Sequence, residues 1–268
     1  MKKINKLILQ TSLAIAIIPA IFTACASKAD TQEAVKATKS TKAAHWGYTG
    51  HADPSHWGEI SEKYKMCSEG KNQSPVDITV KDSQHTNLPA ILFAYNTLSN
   101  TIINNGHTIQ VNINDGSTIT IDDTEFSLKQ FHFHSPSENE INDKHFPLEA
   151  HFVHVDSAGD IAVVALMFQE GEENAALKKI WDKLPLAEGE KTTLNLQPSD
   201  VTALLPQKRA YYRFDGSLTT PPCTEGVRWF VMKQAVTISK AQVEAFTHLM
   251  HHANNRPIQK LNARKILD

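Results

Sequence analysis

Two short stretches, Gln130-Phe131-His132-Phe133-His134 and Glu149-Ala150-His151-Phe152-Val153, decide how this chain is read. Both alternate with the period of a strand, in which successive side chains point to opposite sides. His132 and His134 then share a face with Gln130, while Phe131 and Phe133 turn the other way and can enter a core. The second stretch repeats the arrangement with Glu149 and His151. An antiparallel neighbour would bring His151 beside the first pair. Three imidazoles on one ion leave a fourth tetrahedral position open, the arrangement of a catalytic zinc site. The all-imidazole set favours zinc over copper or iron, though not uniquely. Gln130 and Glu149 each stand two residues before a histidine and can accept its other ring N–H, fixing tautomer and orientation. His-x-His also arises by chance in a chain with 13 histidines, so the surrounding sequence has to decide.

Around these stretches the pattern is mostly strand. Thr101 to Ile121 alternates through Ile109, Val111 and Ile113, with turn signals at Asn105-Gly106 and Asp115-Gly116. Asp160 to Phe168 is a continuous apolar run, as expected of a strand covered on both faces. Arg228 to Lys233 is another short strand signal. Helix signals are few. Glu172 to Leu184 carries Ala176, Ile180 and Leu184 at helical spacing and stops at Pro185. Ser239 to Ala253 opens with a capping box, Ser239 and Gln242, and puts His248 and His252 one turn apart, a spacing open to an adventitious metal but with no third ligand evident. The expected fold is mainly β (α+β): a single domain with a large twisted, mostly antiparallel central sheet and short peripheral helices.

The chain has 268 residues and a formal net charge of -2, so no overall basic field draws it to nucleic acid, and no nucleic-acid partner is expected. Its first 26 residues read as an export signal. Lys2, Lys3 and Lys6 precede an apolar run from Leu7 to Phe22, and the small residues Ala24, Cys25 and Ala26 follow. The run is short for a membrane span and carries Gln10, Thr11 and Ser12. Two readings of its end stand side by side. Phe22-Thr23-Ala24-Cys25 resembles a bacterial lipobox, which would put lipid on Cys25 and attach the protein to a membrane; ordinary cleavage after Ala26 is the other. Lipidation also accounts for the odd number of cysteines. Residues 27–44 are polar, rich in Lys, Thr and Ala, and read as a flexible tether. The folded part is expected over residues 45–268, in an exported, periplasmic or lipid-anchored protein. The sequence carries no signal for or against self-association.

The two histidine stretches resemble the signature of alpha-class carbonic anhydrases. Further blocks agree in order: Trp46-Gly47-Tyr48, Asn72-Gln73-Ser74-Pro75-Val76-Asp77-Ile78, Asn104-Asn105-Gly106-His107, Ser135-Pro136-Ser137-Glu138, Gly216 to Cys223 and Asn255-Arg256-Pro257. The short Ser-Pro-Ser-Glu turn and the cysteine pair are similar to the bacterial branch. The resemblance implies zinc on His132, His134 and His151, and reversible hydration of carbon dioxide to bicarbonate and a proton. It implies that Thr219 accepts a hydrogen bond from the nucleophilic hydroxide and donates one to Glu138, with Thr220 beside it. Val153, Val163, Leu218 and Trp229 would form the apolar wall for carbon dioxide, and His107 would shuttle the proton. Tyr48, Asn105 and Gln110 would line a polar water path, and Cys67 and Cys223 would form a disulfide. Asn139 departs from the family, which has histidine there, and an effect on the packing behind the site is expected. Ser74-Pro75 and Pro221-Pro222 are candidate cis bonds. Two other functions fit the same fold: a non-catalytic surface binding module, whose kind usually lacks a zinc histidine, and a zinc esterase.

Overall fold

The computed structural model describes residues 45–185 and 187–268. The expected leader and tether, Cys25 included, lie outside the described residues. The first seven strands are β1 (Asp77–Ile78), β2 (Leu92–Ala94), β3 (Ser99–Asn104), β4 (Ile109–Ile113), β5 (Thr118–Ile121), β6 (Thr124–His134) and β7 (Glu140–Ile141). The remaining six are β8 (Leu148–Val155), β9 (Ile161–Glu170), β10 (Lys191–Thr193), β11 (Tyr211–Ser217), β12 (Glu225–Met232) and β13 (Val236–Ile238). Eleven of them form one sheet with the main order β10-β3-β4-β6-β8-β9-β12-β11, extended by β5 and β2 beside β6 and by β13 beside β9. Pairing is antiparallel except where β9 runs parallel to β12 and β13. The small β1–β7 pair is also parallel. The mainly β, largely antiparallel architecture read from the sequence is thus the one observed.

The uninterrupted apolar run of β9 has a simple cause. Its residues alternate between two cores, one on each face of the sheet. Ala162, Val164, Leu166 and Phe168 join the larger core, and Val163, Ala165 and Met167 join the smaller one. The adjoining β12 divides in the same way, with Phe230 and Met232 on one side and Val227, Trp229 and Val231 on the other. A strand with pairing partners along both edges and cores on both faces has no side left for polar residues.

Strand β6 is longer than the histidine stretch and contains a feature that its alternation alone does not reveal. Phe126 and Leu128 lie in the larger core, and an unbroken period would carry Gln130, His132 and His134 into it as well. The pairing of β6 with β8 shifts register between Leu128 and Gln130. This bulge inverts the alternation, so that Phe131 and Phe133 enter the core and the histidines face the opposite side.

Among the described residues, five short α-helices decorate the sheet: α1 (Trp57–Ile60), α2 (Met66–Glu69), α3 (Ala175–Trp181), α4 (Pro198–Thr202) and α5 (Lys240–Met250). The helix expected over Glu172 to Leu184 is shorter at both ends. Asn174 caps it by accepting the Leu177 N–H at 2.9 Å. The Ser239–Gln242 capping box of α5 forms in both directions. That helix stops at Met250, however, and His251 takes a left-handed conformation. His252 therefore leaves the helix, and the one-turn spacing expected for His248 and His252 is not realised. The ring near His248 is instead His251, at 6.2 Å. Ser74-Pro75 and Pro221-Pro222 are cis, as is Ser135-Pro136.

Candidate metal centre

Strand register assembles the site. Across the sheet, Gln110 of β4 pairs with His132 of β6, His132 with His151 of β8, and His151 with Ala165 of β9. The next row runs Asn112, Gln130, Val153, Val163 and Trp229. One row thus brings two of the three histidines side by side, with His134 two residues further along the same face of β6. The other row places apolar side chains next to them. His132 is half-buried, His134 and His151 are buried, and one ligand atom from each lies within 4.8 Å of the others.

Hydrogen bonds behind the rings select the nitrogens that face inward. His132 Nδ1 meets Gln130 Oε1 at 2.8 Å, and His134 Nδ1 meets the Asn254 carbonyl at 2.7 Å. Both acceptors require the proton on Nδ1, leaving Nε2 with its lone pair free. His151 is reversed: its Nε2 lies 3.0 Å from Glu149 Oε1, though off the line of a good hydrogen bond, so Nδ1 faces the centre. His134 Nε2 is buried and has no hydrogen-bond partner among the described residues. Burial, more than the neighbouring rings, holds His132 and His151 well below the usual imidazole range. Burial also lowers His134, against the pull of the Asn254 carbonyl. Neutral rings whose ligand atoms gather within 4.8 Å, with an orphaned buried nitrogen among them, are what a divalent cation requires, and these residues fit zinc.

Glu149 is held in turn. Its Oε2 accepts the backbone N–H groups of Glu138 at 2.7 Å and Asn139 at 2.9 Å, and its Oε1 accepts Asn139 Nδ2 at 2.8 Å. Burial raises the Glu149 carboxyl, and the Asn139 donors pull it back. Asn139, the departure from the family pattern, therefore orients the carboxylate behind His151 and also accepts the Val76 N–H at 3.1 Å. Glu138 is completely buried. Its Oε1 accepts the Arg256 backbone N–H at 2.9 Å, its other oxygen has no hydrogen-bond partner among the described residues, and the Thr219 side chain is near enough to stabilise the ionised carboxylate. Burial pushes Glu138 up to about 8, against the lowering effect of Thr219 and the Arg256 N–H. Its other oxygen stands 3.5 Å from His134 Nε2.

A cavity of about 140 Å³ opens from the histidines, with Tyr48, Asn105, His107, Gln110 and Thr220 on its walls. The resemblance-based expectations for these residues thus converge on one space. His107 stacks on Trp46, with ring centroids 3.8 Å apart. Burial lowers His107, and His45 and His252 lower it further, while Glu188 acts in the opposite sense. Val163 and Trp229 are buried in the smaller core, Val153 and Leu218 pack against that core, and the Trp229 ring lies 4.9 Å from that of His151. Cys67 and Cys223 form a disulfide.

Two contributors escaped the sequence reading. Asn254 accepts from His134, and its side-chain amide donates to the carbonyls of His107 at 3.0 Å and Phe133 at 2.9 Å, tying the shuttle candidate to the ligand strand. Trp46 was read only as part of a matching block, yet its ring is the platform for His107. Asn254 lies 120 residues from His134, and no local periodicity could have flagged it.

Known proteins place this geometry. The family described as eukaryotic-type carbonic anhydrase matches residues 52–268. A carbonic anhydrase of Pectobacterium carotovorum is 49% identical over 229 residues, covering 85% of this chain and 92% of that protein. One from Neisseria gonorrhoeae is 50% identical over 225 residues, covering 84% and 88%. The alpha-carbonic anhydrase of Thermovibrio ammonificans, solved with the inhibitor sulfanilamide, superposes with a TM-score of 0.81 at 48% identity, covering 84% of this chain and 99% of that one.

Proposed function

This chain belongs to the eukaryotic-type, or alpha, carbonic anhydrase family, and on that premise we propose how it hydrates carbon dioxide: with zinc held by His132, His134 and His151. The reaction is the reversible conversion of carbon dioxide and water to bicarbonate and a proton. The observation that carries the site assignment is the meeting of three neutral imidazoles within 4.8 Å, on a sheet face set by register. When bound, zinc makes a water molecule acidic enough to ionise near neutral pH, as in carbonic anhydrases as a class.

The protein's own groups do the rest. The Thr219 hydroxyl stands beside the Glu138 carboxylate; by donating to it, Thr219 would leave its lone pairs to accept from the nucleophile and fix its direction. Glu138 is held in place by the Arg256 N–H, which its Oε1 accepts. Val153, Val163, Leu218 and Trp229, in or against the smaller core on the side of His151, would give carbon dioxide an apolar wall, which suits a substrate without hydrogen-bond donors. His107, at the cavity wall, takes the proton released in each cycle and passes it outward. The intact set of three histidines, Glu138 and Thr219 favours catalysis over a purely binding role, and ester hydrolysis is expected as a side activity of the same centre.

Export is part of the reading. The basic start, short apolar run and small residues before Ala26 support it, and Cys25 is left unpaired once Cys67 and Cys223 join. Lipid on Cys25 would tether the enzyme to a membrane through the polar segment 27–44. The central test is stopped-flow hydration with metal analysis. The purified protein should carry about one zinc per chain and lose hydration activity on chelation, and His151→Ala should lose both. Full activity without metal would refute the assignment.

A further inference from the structure

Arg256 is 1% exposed, and among the described residues no carboxylate lies within ion-pair distance of its guanidinium. A buried cation without a paired anion calls for an explanation. Its two Nη groups donate to one segment, while Nε has no hydrogen-bond partner among the described residues. Nη1 donates to Gln73 Oε1 and to the Ser74 carbonyl, both at 2.8 Å, and Nη2 donates to the Cys67 carbonyl at 2.8 Å. The same three residues grip the loop that carries Thr219. The Ser74 N–H donates to Ser217 Oγ at 2.9 Å, and the Ser217 N–H returns to Ser74 Oγ at 3.2 Å. Gln73 Nε2 donates to the Cys223 carbonyl at 3.0 Å, and Cys67 is bonded to Cys223 through sulfur. Both ends of the loop, Ser217 and Cys223, are thus clamped by the segment that the guanidinium holds. The backbone N–H of Arg256 meanwhile fixes Glu138, the carboxyl read as the acceptor for Thr219.

We propose that Arg256 is a positioning residue for the hydration step: its main chain sets Glu138, its side chain sets the Thr219 loop, and one residue thereby aligns donor with acceptor. The proposal rests on the reading of Thr219 and Glu138 as the pair that directs the nucleophile. A planar fork suits the task, because it holds several acceptors in fixed directions at once, which the point charge of a lysine cannot. The positive charge also lies where Glu138 feels it, and each draws the other toward its ionised form.

The test separates alignment from folding. Arg256→Met and Arg256→Lys are prepared with zinc content and the disulfide verified, and carbon dioxide hydration is measured in dilute and concentrated buffer. Misalignment of Thr219 slows the step on carbon dioxide but leaves proton transfer through His107 untouched. The expected result is kcat/KM lower by about 10–100-fold in Arg256→Met and by less in Arg256→Lys, while kcat in dilute buffer changes by less than about twofold. Wild-type kcat/KM in folded, zinc-loaded Arg256→Met overturns the proposal, and so does a fall of both parameters together. Should Arg256→Met fail to fold, Ser74→Ala decides. It keeps the guanidinium and removes only the hydroxyl that holds the Ser217 N–H, so kcat/KM alone should fall; an unchanged value refutes the clamp. A wild-type enzyme that holds zinc yet does not hydrate carbon dioxide would instead overturn the underlying reading.

Discussion

His154 sits three residues beyond His151, a proposed metal ligand, on the opposite face of β8, and it sets a pH limit on the stability of the protein. Its Nδ1 lies 3.3 Å from the Ala162 carbonyl and its Nε2 lies 2.9 Å from the Tyr95 hydroxyl, both within the larger core. Those partners suit a neutral ring that donates from Nδ1 and accepts at Nε2. A second proton would place a charge in the core and leave the Tyr95 hydroxyl facing a donor. Burial lowers His154 from 6.5 to about 3, outweighing the carbonyl acceptors. Between those values the unfolded chain carries a proton that the folded chain refuses, so stability falls as pH falls through this window and is level above it. Integrating the linkage gives a loss of roughly 2 kcal/mol at pH 5 and roughly 3 kcal/mol at pH 4, relative to pH 8.

The experiment compares urea unfolding of the zinc-loaded wild type with His154→Gln between pH 8 and pH 5. The ligand histidines titrate in both proteins, so the difference between the two curves isolates His154. At pH 8 the variant should be less stable by about 1–3 kcal/mol, because a buried hydrogen bond is left poorly made. That gap should narrow by about 2 kcal/mol on reaching pH 5. Parallel curves, with a gap constant to within about 0.5 kcal/mol, would refute the claim that His154 is held neutral by the core.

Three further outcomes are expected. His107→Ala should slow turnover in dilute buffer by about 10-fold or more and recover partly with added imidazole, and in the wild type the turnover step should titrate below the usual histidine value; an unchanged rate removes His107 from proton transfer. Replacing Cys67 and Cys223 by serine opens a link across a sequence separation of 156 and should cost up to about 5 kcal/mol on the chain-entropy account, read from urea midpoints; a loss below about 1 kcal/mol would show that the bond adds little. Mass spectrometry of the mature N-terminus should find a lipidated Cys25 in a protein that needs detergent for release, whereas a free Ser27 in a soluble periplasmic fraction would rule out the anchor but not export.

The sequence alone carried the local rules of this protein. Alternation in residues 130–134 and 149–153 determined that histidines and their acceptors share a face, because neighbouring side chains of a strand must diverge. The run from Asp160 to Phe168 announced a strand buried on both faces, and Ser239 with Gln242 announced the start of a helix. Only the tertiary structure decided which face was which. A bulge between Leu128 and Gln130 turns the histidines away from the core that holds Phe126 and Leu128, and a bulge is specified jointly by two strands. The same holds for the helix that His252 leaves, since the left-handed turn at His251 ends it inside a span whose periodicity continues. Asn254 and Arg256 became legible only once the fold had closed. Each acts on residues more than a hundred positions away, through hydrogen bonds to backbone carbonyls, amides and buried side chains that every sequence supplies in abundance. Periodicity is a property of neighbours along the chain and can be read from it, whereas the choice among many equivalent distant partners is made by packing, which only the assembled sheet determines.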